Sequence, residues 1–152
     1  MHFIRYFAWA GALLLAACSA PGPAPLPATV ATPGAPRTHA GPARNWQEYK
    51  LRAAQRIVAT SPGETFTGPL PDPLQSIPVL QVHLNRNGSI RNISVLRVPG
   101  QSPQTLDMAI RAIRRAAPFE PVGHLPQPWQ FNETFLYNGE LKFQLRTLVE
   151  AH

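Results

Sequence analysis

From Asn45 onward, apolar residues recur with two distinct periods, and the switches between them mark the elements. Trp46, Tyr49, Leu51, Ala53, Ala54, Ile57 and Val58 form one broad stripe at helical spacing. Asn45 stands before the stripe with Glu48 three residues on, an N-x-x-E capping box, so the pattern predicts a helix over 46–59. Residues 60–76 hold four prolines and no period, and read as a loop. The period then becomes two. Leu80, Val82 and Leu84 share one face of a strand running from Val79 to Asn85. Asn87-Gly88 signals a tight turn into a second strand over 89–98, whose alternation falters at Asn92-Ile93 as a bulge would make it. Ser102-Pro103 reads as a cap followed by proline at the first helical position. Leu106, Ala109, Ile110 and Ile113 carry that helix to Ala116, where Pro118 and Pro121 end it. Trp129 to Tyr137 alternates again, with Phe131, Glu133, Phe135 and Tyr137 on one side. A turn at Asn138-Gly139 leads to a last strand over 140–148, with Leu141, Phe143 and Leu145 facing one way and Lys142, Gln144 and Arg146 the other. Hairpins separated by helices predict the α+β class: an antiparallel sheet of three to four strands with two helices packed on one face.

Composition sets the first 44 residues apart. Phe7 to Ala17 is an uncharged apolar run behind Arg5, the layout of a secretory leader. Eleven residues fall well short of the roughly 20 that a membrane-spanning helix needs. The run ends Leu15-Ala16-Ala17-Cys18, which resembles the bacterial lipobox. That resemblance implies cleavage after Ala17 and attachment of diacylglycerol and a fatty acyl chain to Cys18, with small residues admitting the peptidase and the thiol acting as acyl carrier. The competing reading is an ordinary leader that happens to hold a cysteine. Cys18 is the only cysteine, so a disulfide within the chain is impossible. Several buried acyl chains, at about 0.8 kcal/mol per methylene, would make the anchor effectively permanent. Ser19 in place of aspartate implies, by the same resemblance, the periplasmic face of the outer membrane rather than retention at the inner one. Prolines 21, 23, 25, 27, 33, 36 and 42 punctuate the stretch that follows. Without a hydrophobic period it reads as a disordered tether, and roughly 26 residues of polyproline II at 3.1 Å each would reach about 80 Å. A ligand for a proline-reading partner is the other reading. The expected organisation is a leader over 1–17, a lipidated cysteine and tether over 18–44, and one domain over 45–152.

Charge narrows the chemistry further. The formal net charge is +6, nearly all from arginine. Arg111, Arg114 and Arg115 share the second helix, and with Arg86, Arg91 and Arg97 they offer a basic surface for an acidic partner, a cell-wall glycan or lipid headgroups. A solvated face that keeps the domain soluble explains the same residues. No nucleophile elbow, zinc-binding His-Glu-x-x-His or phosphate loop occurs, so no catalytic residues are assigned and no enzymatic activity is expected. His39, His83, His124 and His152 are scattered, and no metal, cofactor, small-molecule substrate or nucleic acid is expected.

The stretch Val79 to Leu96, V-L-Q-V-H-L-N-R-N-G-S-I-R-N-I-S-V-L, followed by T-L-D-M-A-I-R-A-I-R-R-A-A-P-F-E-P over 105–121, resembles the C-terminal domain of TonB and TolA proteins. The shared pattern is a strand, a polar-glycine turn, a second strand, and an alanine- and arginine-bearing helix closed by prolines around an aromatic. The helix over 46–59 suits the TolA arrangement. The resemblance implies a periplasmic, non-enzymatic interaction module whose C-terminal strand pairs with extended segments of envelope proteins. Carried over, that strand is Lys142, Phe143, Gln144, Leu145, Arg146 and Thr147. The bland alternative is that this strand only closes a hairpin with 129–137. TonB and TolA proteins are anchored by a transmembrane helix coupled to a motor, and the lipobox here replaces it. A structural envelope lipoprotein, holding an assembly together through its aromatic-rich hairpin, is the second functional reading.

Overall fold

A computed structural model of the chain describes residues 41–152. Its element order is α1 (Trp46–Ala59), β1 (Val79–Leu84), β2 (Ile90–Arg97), α2 (Gln104–Ala116), β3 (Gln130–Tyr137), β4 (Phe143–Leu145) and α3 (Arg146–Val149). The class is α+β, as expected, with four antiparallel strands in the spatial order β2-β1-β3-β4. Two hairpins are thus joined through β1 and β3, which leaves β2 and β4 as the edges.

The core lies on one face of the sheet. Leu80, Val82 and Leu84 of β1 are fully buried, with Phe131 and Phe135 of β3 beside them. Tyr49, Ala54 and Ile57 of α1 and Ala109, Ala112 and Ile113 of α2 belong to the same cluster. The register sets Val82 against Ile93 on one side and Phe131 on the other, so apolar positions from three strands align across the face. The opposite face is polar at its centre: Gln81 donates to Asn132 at 3.0 Å, and His83 Nε2 lies 3.0 Å from Ser94 Oγ.

Several local expectations change in detail. Asn45 caps α1 through its side chain, which accepts from the Glu48 amide at 2.8 Å. The reciprocal half of the box is displaced by one residue, because the Glu48 carboxylate accepts from the Arg44 amide instead. Pro103, rather than Ser102, stands at the N-cap of α2, and it makes no side-chain capping bond. The Ser102 carbonyl accepts from the Thr105 amide and hydroxyl, while Ser102 Oγ accepts from Gln75. Both expected two-residue turns are wider. Asn85 and Asn138 each accept from the residue three positions on, with a left-handed residue closing the loop: Gly88 at φ 85° in the first and Leu141 at φ 57° in the second. These are type I turns with a bulge, a common three-residue hairpin loop. The irregularity expected near Asn92 falls at Arg91, which the register skips, and a second one falls at Leu96.

The last strand is the largest correction. It is expected over 140–148, yet only Phe143–Leu145 is extended and Arg146–Val149 forms a short helix. The wide loop consumes residues 139–141. Glu133, buried on the core face of β3, then accepts from the Thr147 amide at 3.3 Å, supplying a partner for one of the free N–H groups at the start of α3. Arg146 and Glu150 pair across that turn at 3.4 Å.

Candidate functional site

The C-terminal residues named from sequence lie together, but most are already engaged. Phe143 is buried among Phe135 and Tyr137, with ring centroids at 4.9 and 5.7 Å. Its amide donates to Glu64 O at 2.9 Å and its carbonyl accepts from Phe66 at 3.2 Å. The loop after α1 therefore covers the outer edge of β4 at that residue, as an isolated parallel bridge between Thr65 and Phe143. Gln144 Nε2 donates to Gly68 O at 2.9 Å, tying the same loop down again. Leu145 is fully buried, Lys142 pairs with Glu140 at 3.3 Å, and Arg146 and Thr147 are helical. Residues 142–147 thus close the hairpin with β3 and hold a loop, rather than running as a free six-residue strand. The rings of Phe135, Tyr137 and Phe143 are spent inside their own domain.

The arginines divide. Arg115 is tied to Glu64 at 2.6 Å and to Ser61 Oγ at 3.2 Å. Arg111 and Arg114 are exposed on α2, and no ion pair engages them among the described residues. Arg86 lies over the Trp129 ring, 5.6 Å from its centroid. His124 donates from Nε2 to Ala43 O at 2.7 Å, a structural contact. Among the described residues, no three His, Cys, Asp or Glu side chains gather as metal ligands. A cleft of ≈ 570 Å³ opens between the start of α1 and α3, lined by Arg44, Trp46, Glu48, Lys50, Thr147 and Glu150 among others. Cys18 and its tether up to residue 40 lie outside the described residues. No helix among the described residues is long and apolar enough to cross a membrane.

Two arrangements were not anticipated. The first is the open edge. Among the described residues, β2 spans eight positions with no strand partner on its outer side, and Val95, Leu96 and the following Val98 are 41 %, 51 % and 67 % exposed. Val95 is paired with the fully buried Leu80 and so shares its face, yet helix coverage stops short of it. The faltering alternation of this strand, with apolar residues at 93, 95, 96 and 98, is the sequence signal that goes with an edge.

The second is a charged clamp around the buried Arg52. Arg52 bonds Glu48 at 2.6 Å, Glu120 at 3.1 Å and the Gly41 carbonyl at 2.7 Å. Hydrogen bonds from the Arg44 amide and from the Arg52 and Arg44 guanidiniums hold the Glu48 carboxyl down at about 2. Glu48 and Arg52 stand at the i,i+4 spacing that favours such a pair, whereas Glu120 arrives from far along the chain. Glu133 has the opposite character: burial pushes its carboxyl up, and Oε2 has no hydrogen-bond partner among the described residues.

No protein-family model, curated protein or solved structure matches this chain. The fold class, an open four-stranded antiparallel α+β sheet, therefore stands on the geometry.

Proposed function

We propose that this chain is a lipoprotein whose Cys18 carries diacylglycerol and fatty acyl chains, and whose domain is a non-enzymatic adaptor of TonB/TolA-like type. It sits at the periplasmic face of the outer membrane and binds envelope proteins by strand pairing, linked to TonB- or Tol-type transport. The observation that carries the binding reading is the eight-residue edge strand β2, which no strand among the described residues covers on its outer side, in a sheet whose other edge is partly occupied. An open edge presents unpaired N–H and C=O groups to any extended chain. The anchoring reading rests on the lipobox-like residues before Cys18 and on the proline-rich stretch behind it.

Metabolic labelling with a radioactive fatty acid tests the anchor. The wild-type chain is expected to take up label and partition into membranes, and Cys18→Ala to lose both and remain at precursor length. Normal maturation of Cys18→Ala would sink the lipoprotein reading. Site-specific photo-cross-linkers placed along β2 in cells test the adaptor reading: a discrete product with an envelope protein is expected, and only self-products or none would count against it.

A further inference from the structure

We infer that the edge of β2 is a docking strand for an extended acidic segment of another protein, which adds as a fifth strand between Arg91 and Arg97. This inference rests on the strand-pairing reading above and specifies its site and the chemistry of its partner.

The charge distribution is the first argument. Five of the eight carboxylates, Glu48, Glu64, Glu120, Glu140 and Glu150, are consumed in ion pairs. Glu133 is buried, which leaves only Asp72 and Asp107 exposed and unpaired, and neither is on β2. The unpaired positive charge includes Arg91 and Arg97, which stand exposed at the two ends of the strand. No ion pair or hydrogen bond among the described residues engages either guanidinium. They are six residues apart, roughly 20 Å at about 3.3 Å per residue, so one extended segment can span both. A carboxylate near each end of that segment meets an arginine, with bidentate geometry open to both.

The backbone supplies the second argument. Between the irregularities at Arg91 and Leu96, residues Asn92 to Val95 pair with β1 in unbroken register. Alternate residues of that window turn their N–H and C=O groups away from β1, ready for a further strand. Ile93 and Val95 lie on the core face, where an added strand with apolar alternate residues would extend the core and cover the exposed part of Val95. Self-association is disfavoured by the same arginines. A second copy paired symmetrically about Ser94 sets each Arg91 opposite an Arg97, and pairing about Ile93 still lines four uncompensated arginines along one joint edge. The two irregularities and the flanking charges also mark an edge guarded against its own kind.

The test is calorimetric titration of the lipidated full chain in detergent micelles, paired with NMR mapping of amide shifts. The probe is a synthetic heptapeptide with glutamate at both ends and alternating valine and threonine between; lysine-ended and backbone N-methylated forms are its controls. Binding of the acidic peptide with shifts confined to 90–97 is expected, as is loss of binding on N-methylation. The double variant Arg91→Glu, Arg97→Glu, folded by circular dichroism, should bind it on the order of tenfold more weakly and now prefer the lysine-ended form. Equal binding of both peptides, or a concentration-dependent dimer in sedimentation, would overturn the inference. So would phosphatidylglycerol vesicles showing the arginine dependence that the peptide lacks. Shifts on 142–147 instead would overturn this site while leaving strand pairing intact. Absence of binding at any strand would remove both, and the anchor would still be judged by the Cys18→Ala labelling.

Discussion

Glu133 carries a carboxyl group into a core of Phe131, Phe135 and Leu80 neighbours, with one oxygen bonded to two amides and the other unpartnered. Burial raises its folded-state value above the ordinary glutamate range, and the bonds from Thr147 and Thr134 offset this only in part. A raised carboxyl binds its proton more tightly in the folded state. Its contribution is therefore fully present below the unfolded value, near 4.5, and is lost as pH rises through the folded value. Glu48 works in the other direction: held at about 2, it contributes above 4.5, and that contribution drains away as pH falls towards 2. Urea melts between pH 5 and 9 should show Glu133→Gln losing less stability with rising pH than the wild type. An unchanged slope would mean that Glu133 is not the group responsible. Glu133 sits at a core-face position legible from the alternation of β3. That its carboxylate would cap α3 was not legible, because the partner amide comes from a segment that the same alternation read as strand.

At the scale of elements, α1 has the bounds that its apolar stripe and Asn45 imply, and α2 and the first three strands agree to within a residue or two at either end. The two hairpin loops are where local signals mislead. Asn-Gly reads as a two-residue turn, but Gly88 alone takes the left-handed conformation in the first loop, and in the second that place falls to Leu141 rather than Gly139. Gly88 is required twice over. It holds positive φ, and a Cβ there would collide with the Phe119 and Glu120 carbonyl oxygens, whose segment also bonds back to Gly88 O. Gly88→Ala should cost at least about 2 kcal/mol in denaturant unfolding. The matched experiment is Leu141→Gly. A left-handed non-glycine residue carries about 1 kcal/mol of strain, so relief of that strain should offset the partly buried leucine side chain and leave stability within about 1 kcal/mol of wild type. A loss above 2 kcal/mol would show that the Leu141 side chain matters more than its backbone.

Across the whole molecule, distant segments are held by a few polar contacts as well as by the core. Arg52 joins α1, the chain entering at Gly41 and the segment around Glu120, while Tyr49 Oη donates to Glu120 O at 2.8 Å and Trp46 Nε1 to Pro126 O at 2.9 Å. Arg52→Met keeps the stem's packing but leaves the Glu120 carboxylate without its ion-pair partner and Glu48 with Arg44 alone. Because Glu120 is partly exposed, the expected loss is about 2 kcal/mol, below that of a fully buried pair, and a change under 0.5 kcal/mol in urea melts would reduce the clamp to a surface ornament. The hydrophobic periods alone determined the class and the identity of the strands and main helices, because each depends on neighbours within one turn or one pleat. They also determined which face of β1 and β3 is buried. Only the tertiary structure decided strand order, since two hairpins can join through any of their strands. Here β1 and β3, with Leu80, Val82, Phe131 and Phe135 buried at the centre, meet in the middle. That choice closes the C-terminal edge at Phe143 under the loop after α1 and leaves β2 open, so the exposed edge is set by contacts between residues far apart in the chain, which no local period encodes.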